Sequence, residues 1–374
     1  VTSRPGRSTP VRTWWVTDGS LARVTERNPE DGGGGGGGMD QRTRVYAAGA
    51  MAVAVFVLIQ LGAVALVGPF ERAGYQAVEN PTDPANSAVY IGAILVATAA
   101  MLAVIKLDIQ WLLRGFVVFS SGLVSLYVFS VLAPPVSTSL AGVTFNPLAV
   151  GGAVVLAVAL LAYPEWYVID AAGVVMGAGA AGIFGISFGL LPAILLLVAL
   201  AVYDAISVYG TEHMLTLADG VMDLKLPVVL VIPLTLSYSF LADSPTANAD
   251  ESVEADGGEG EEGETDETTT AGAGDRDVFF VGLGDAVMPG VLVASAAFFA
   301  PARPLIPGFA LSLPALTAMV GTVCGLVVLL RLVMKGRAHA GLPLLNGGAI
   351  AGYLVGAVAS GIPVVTALGL GPYL

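Results

Sequence analysis

The sequence predicts an all-α polytopic membrane protein with nine transmembrane helices, and three observations predict it. First, 55% of the 374 residues are hydrophobic and only 12% are charged, for a mean hydropathy of +0.80. Second, apolar runs of about the twenty residues that a bilayer core demands recur along the chain. Third, the breaks between them are short and polar, with one long acidic exception.

The elements follow in order. Residues 1–38 are Arg-rich, contain Trp14 and Trp15, and end in seven consecutive glycines before Met39. Such a run cannot pack, so this stretch reads as a disordered or mis-called extension, with Met39 the expected working start. It has no apolar core of the kind a secretory signal needs. Spans are expected near 45–67, 89–105, 109–133, 147–163, 166–186, 190–209, 278–300, 310–333 and 344–368. The first six occupy a region running over 39–242 and the last three a region over 278–374. Between them, residues 243–277 hold thirteen Asp and Glu against a single Arg276. That composition fits a disordered loop. Together with only three lysines in the chain, it also suits a protein of a salt-loving microbe.

Basic residues set the expected orientation. With a cytoplasmic N-terminus, fourteen Lys and Arg fall on the cytoplasmic side and only Arg72 and Arg303 outside. Without residues 1–38 the ratio is still nine to two. The acidic loop is then cytoplasmic, and an odd number of spans puts the C-terminus outside the cell. One cysteine, Cys324, excludes a disulfide framework and reads as a small core residue.

Two acids stand within the apolar runs. Asp204 lies six residues before the expected cytoplasmic end of the sixth span, about 9 Å deep at the helical rise. Asp285 lies eight residues after Asp277, where the seventh span enters from the same side, about 12 Å deep, so the two acids stand at nearly one level. A carboxylate at such depth costs about 2.5–3.5 kcal/mol on insertion scales, so an intramembrane acid is a functional-site hypothesis by default. Two close carboxylates in a low-dielectric setting share one proton, which lets one accept a proton from water while the other donates to a carbonyl oxygen. A bland alternative, each acid bonding a neighbouring backbone group or serine, covers single cases. A proton-coupled transporter or ion pathway would show the same pair, although no inverted repeat supports it.

Other motifs carry less. The glycines at 177–182 fit GxGxxG but no strand precedes them, so they read as a helix-packing face. Ser187 fits GxSxG, but the only two histidines, His213 and His339, are expected on the opposite side. The same scarcity removes zinc chemistry of the HExxH kind, and no metal or organic cofactor is implied. Asp108 and Asp170 sit near span ends and are expected to reach toward water, while Asp219 and Asp223 fall in a polar loop. No basic patch interleaved with aromatics exists, so nucleic acid is not an expected partner.

The residues around the two acids bring in a family. Tyr203-Asp204 and Gly282-Leu283-Gly284-Asp285 resemble the YD and GxGD motifs of the presenilin and signal peptide peptidase intramembrane aspartyl proteases. The run from Tyr203 through Leu215, the segment LKLPVVLVIP at 224–233 and GLGDAVMPG itself are similar to that family, as is the long loop between the sixth and seventh spans. The family's PAL motif falls by position on Ala340-Gly341-Leu342-Pro343, with smaller residues replacing its proline and alanine. A literal Pro314-Ala315-Leu316 opens the eighth span, one helix too soon. An archaeal member is the expectation.

The resemblance implies an aspartic endopeptidase cutting within transmembrane segments of other proteins or signal-peptide remnants. Asp204 and Asp285 are then the catalytic pair, and the Leu342-Pro343 end of the third motif holds extended substrate beside them. The expected partners are substrate transmembrane segments and the bilayer, with self-association an open option. The expected roles of the neighbours are physical. Gly282 and Gly284 would let helix backbones approach, Pro289 would loosen the helix and admit water, and Tyr203 would hydrogen-bond near the pair. Residues 225–233 read equally as a strand that could add to an unwound substrate or as an amphipathic or buried loop segment. The acidic loop holds no hydrophobic plug, so an enzyme active without a cut in that loop is expected. A type IV prepilin peptidase also has a GxGD element, but nine spans and the AGLP segment argue against it.

Overall fold

The computed structural model describes residues 41–107, 110–140, 143–210, 229–233, 278–334 and 340–373. The expected extension at 1–38 and the acidic loop at 243–277 lie outside the described residues. So do Asp108, His213, Asp219, Asp223, Lys225 and His339.

Helices dominate. They are α1 (Gln41–Ala73), α2 (Ala85–Lys106), α3 (Gln110–Leu132), α4 (Pro147–Ala162), α5 (Trp166–Ser187), α6 (Leu190–Gly210), α7 (Leu283–Phe299), α8 (Leu313–Val333), α9 (Leu342–Ala359) and the short α10 (Val364–Ala367). Local chemistry explains their starts. Asn146 caps α4 by accepting from the Leu148 and Ala149 N–H groups ahead of Pro147. Ser312 caps α8 in the same way through Ala315, with Pro314 in the first turn. By length and composition α1, α3, α5, α6, α8 and α9 suffice to cross a membrane, while the apolar stretches Ala85–Met101, Pro147–Ala162 and Leu283–Phe299 are shorter. Of the nine expected crossings, six are thus met on length alone.

Among the described residues three two-stranded antiparallel ladders join the helices, where the sequence reading offered a strand only at 225–233. β1 (Thr138–Leu140) pairs β2 (Val143–Phe145) and β5 (Pro304–Ile306) pairs β6 (Phe309–Ser312). The second hairpin turns at Pro307-Gly308, where Gly308 has φ +80°, a conformation open to glycine at little cost. Between them in sequence, β3 (Val229–Pro233) pairs β4 (Val278–Gly282) with Val229 opposite Gly282 and Pro233 opposite Val278. The strand offered at 225–233 is therefore present over its described part. Its partner corrects the seventh span, whose first five residues are strand β4 and not helix. The rise per residue in a strand is about twice that in a helix, so the depth reckoned for Asp285 from helical rise does not hold.

The core forms where α5 and α7 meet α1, α6, α8 and α9. The glycines at 177–182 are the packing face they were expected to be. Gly177 faces Ile59 of α1, Gly179 faces Val124 and Val128 of α3, and Gly182 faces Phe70 of α1. Ser187 is fully engaged, donating to the Ile183 carbonyl and accepting from the Ala77 N–H, so the GxSxG match has no free nucleophile. Cys324 is a correction: it is exposed on the outside of α8, not in the core.

Candidate active site

Three helices build the site. α6 carries Asp204, which is buried at 8% exposure. α7 carries Asp285 in its first turn, immediately after β4 and the N-cap Gly282. α9 begins at Leu342 and packs on α6, α7 and α8, with the Asn346 side-chain amide donating to the Leu197 carbonyl of α6 at 3.0 Å.

The start of α9 lies against both acids. The Leu342 N–H donates to Asp204 Oδ2 at 3.0 Å, and the Gly341 N–H faces the same carboxylate. These are orphan donors of a helix N-terminus, whose first N–H groups have no partner within the helix. A β-carbon at Gly341 would stand 3.6 Å from Asp285 Oδ2 and 3.4 Å from Leu329 of α8. One dipeptide, Gly341-Leu342, thus meets the Asp204 carboxylate through its backbone donors and the Asp285 carboxylate through the face of Gly341. The two acids are also near enough to interact by charge. Just upstream, the Ala340 N–H donates to the Tyr209 hydroxyl at 3.4 Å.

The neighbours divide. Gly282 matters through space, since a β-carbon there would stand 3.3 Å from Asp285 Oδ2. Gly284 does not: nothing lies within 4 Å of where its β-carbon would be, so it provides no helix approach. Leu283 is buried and packs with Leu230 of β3 and Ala286. Pro289 lies inside α7 and is buried. Having no N–H, it leaves the Asp285 carbonyl without its intrahelical partner, although α7 continues through this point. Tyr203 corrects an expectation, for its side chain is 52% exposed and makes no hydrogen bond among the described residues. Tyr209, six residues on, is the tyrosine that reaches the third motif, and no sequence pattern singled it out. Pro343 sits in the first turn of α9, where its missing N–H costs nothing. Pro314-Ala315-Leu316 opens α8, as its position in the sequence implied.

No group of three or more His, Cys, Asp or Glu able to hold a metal ion occurs among the described residues.

A model of the family described as signal-peptide peptidase, presenilin aspartyl protease matches residues 53–362 of the chain. The chain belongs to that family. Two solved structures agree. A presenilin family intramembrane aspartate protease in a C222 crystal is 34% identical, with a TM-score of 0.55 over 84% of this chain and 99% of that one. The structure of such a protease in a P2 crystal is 35% identical, with a TM-score of 0.54 over 82% and 96%. No match was found among curated proteins. As a presenilin-family intramembrane aspartyl protease, the chain is an integral membrane protein and an aspartic endopeptidase.

Proposed function

We propose that this protease cleaves peptide bonds within transmembrane segments of other membrane proteins, signal-peptide remnants included, with Asp204 and Asp285 as its catalytic pair. The observation that carries the assignment is the shared contact of both carboxylates with Gly341-Leu342. Among the described acids of the apolar helices, only these two meet at one short stretch of backbone. One carboxylate takes a proton from the attacking water while the other, protonated, donates to the scissile carbonyl oxygen. The resulting tetrahedral carbon collapses as the leaving nitrogen gains a proton. The two act as one titrating unit, so neither role belongs to one residue alone.

Backbone must be unwound before it can be cut, because helical carbonyls are held by their own N–H groups. β4 runs directly into α7 and stops three residues before Asp285, so an extended substrate lying along this strand would pass the carboxylates. β3 is less suited to that part, since it pairs with β4 along one edge and its Val231 N–H donates to Asp170 on the other. The excess of basic residues supports a cytoplasmic N-terminus and acidic loop, with the C-terminus outside. Family membership leaves the transporter and prepilin-peptidase readings without a supporting observation.

The test is cleavage of a single-span substrate by purified protein in detergent. Wild type should cut, and Asp204→Ala and Asp285→Ala should each abolish cutting. Cleavage persisting in both variants would sink the assignment.

A further inference from the structure

A third acid stands near the site without belonging to it. Asp170, in the second turn of α5, is only 6% exposed, against the expectation that it reaches water. Its Oδ1 accepts the Val231 N–H of β3 at 2.8 Å. Its Oδ2 is buried with no hydrogen-bond partner among the described residues. Burying a carboxyl group for one hydrogen bond is a poor exchange for stability alone, because the second oxygen loses water and gains nothing.

The surroundings show what the bond holds. One turn along α5, Gly173 leaves room for Leu230 of β3, whose Cδ2 would lie 2.8 Å from a β-carbon placed there. Leu283 of α7 approaches the same spot at 3.7 Å. Ile169 and Ala172 pack with Val231. The face of α5 is thus a seat for β3, with Asp170 as its polar fastening. In an antiparallel pair a residue's N–H and C=O point together, toward the partner strand or away from it. Val231 sends its N–H to α5, so it faces away from β4, and Pro233 shares that parity. Leu230 and Ile232 are left to bond Val281 and Phe279, their partners in register. β4 then ends at Gly282, the N-cap of α7, with Asp285 in the first turn. A continuous path leads from Asp170 through both strands to Asp285.

We infer that Asp170 is a positioning residue, fastening β3 to α5 so that the β3–β4 ladder holds the start of α7, and Asp285 with it, in place. The inference rests on the assignment of Asp204 and Asp285 as the catalytic pair only for its effect on cleavage. The fastening itself can be read without any activity.

The experiment uses the full chain in detergent, as wild type, Asp170→Ala, Asp170→Asn and Val231→Pro. Asparagine keeps an acceptor oxygen for Val231 and alanine does not. Val231→Pro removes the donor at a position facing away from β4, where proline leaves the ladder bonds intact. Hydrogen exchange over 229–233 and 278–286 should quicken about tenfold in Asp170→Ala and stay near wild type in Asp170→Asn. Because proline itself has no amide hydrogen, Val231→Pro is read over 278–286, where it should match Asp170→Ala. Turnover of a single-span substrate should fall about tenfold in kcat for Asp170→Ala and Val231→Pro with KM little changed, and be restored by asparagine. The double variant should be no worse than either single one, since both break one bond.

Unchanged exchange in Asp170→Ala overturns the inference. So does an asparagine variant as inactive as alanine with wild-type exchange, which would make Asp170 a proton carrier. If Asp170→Ala does not fold, Val231→Pro against Asp170→Asn decides the same question. A wild type that exchanges as expected but cuts nothing would defeat the proposed function and leave the fastening standing.

Discussion

Two groups of apolar helices in this molecule, α8 with α9 and α2 with α3 and α4, pack differently. In α8 and α9, Gly321, Gly325, Gly348, Gly352 and Gly356 each face the opposing helix so closely that a β-carbon would run into it. The atoms met are the Gly348, Leu344, Gly321 and Thr317 carbonyl oxygens and the Thr317 hydroxyl. In α2, α3 and α4, Gly92, Gly115 and Gly151 face open space, while Gly122 and Gly152 meet only side chains across the α3–α4 contact, Ala157 and the Phe129 ring. In a bilayer the apolar character of a helix does not drive it onto a neighbour, because lipid chains are as apolar as leucine. Close backbone approach does, and glycine permits it. The tightly packed α8–α9 pair is also the one whose edge, the start of α9, lies against the two carboxylates of α6 and α7.

The comparison can be broken in descending steps. The largest effect belongs to the acids themselves, and Asp204→Ala or Asp285→Ala should lower cleavage by roughly a thousandfold or more, to the background of the assay. Next comes the seam. Gly321→Leu or Gly325→Leu inserts a side chain where the Gly348 or Leu344 carbonyl stands. Each should destabilise the protein by more than about 3 kcal/mol, read as a lowered Tm in detergent and lost activity. Leu342→Pro is smaller and sharper. It removes the N–H held by Asp204, so cleavage should fall by about tenfold to a hundredfold while Tm moves little.

Gly341→Ala is expected to be mild, within about threefold in kcat. Its β-carbon would meet Leu329 and Asp285 at 3.4 and 3.6 Å, ordinary contact distances. It would also restore the alanine of the family motif. At the far end, Gly92→Ala and Gly115→Ala should leave activity unchanged and raise stability by about 0.5–1 kcal/mol each, since both glycines are inside helices with room for a methyl group. A Gly92→Ala variant as damaging as Gly325→Leu would end the distinction between the two groups.

Much of this was readable from the chain as written. Long apolar runs separate themselves from polar breaks because the bilayer length is a fixed ruler, and several boundaries agree within a residue or two, as at Pro147–Ala162, Trp166–Ser187 and Leu190–Gly210. Asp204 and Asp285 are conspicuous for the same reason, since an acid within an apolar run is costly. The segment around Gly341-Leu342 was singled out by its resemblance to a family motif at the start of the last span, and the structure sets it against both acids.

What eluded that reading depends on contacts between distant segments. Nothing local marks residues 278–282 as a strand, because an apolar run of five is equally at home in a helix, and its pairing with Val229–Pro233 spans the whole acidic loop. Asp170 looked like an acid at a span end until β3 covered it, and Tyr209 looked like any interfacial tyrosine until Ala340 arrived beside it. Hydropathy and spacing therefore settled that this is a membrane helix bundle with two acids in it. Which helix ends meet at those acids, and which strand holds them there, was decided by backbone approach across glycine faces and by hydrogen bonds between residues far apart in the chain, and neither leaves a periodic trace in the sequence.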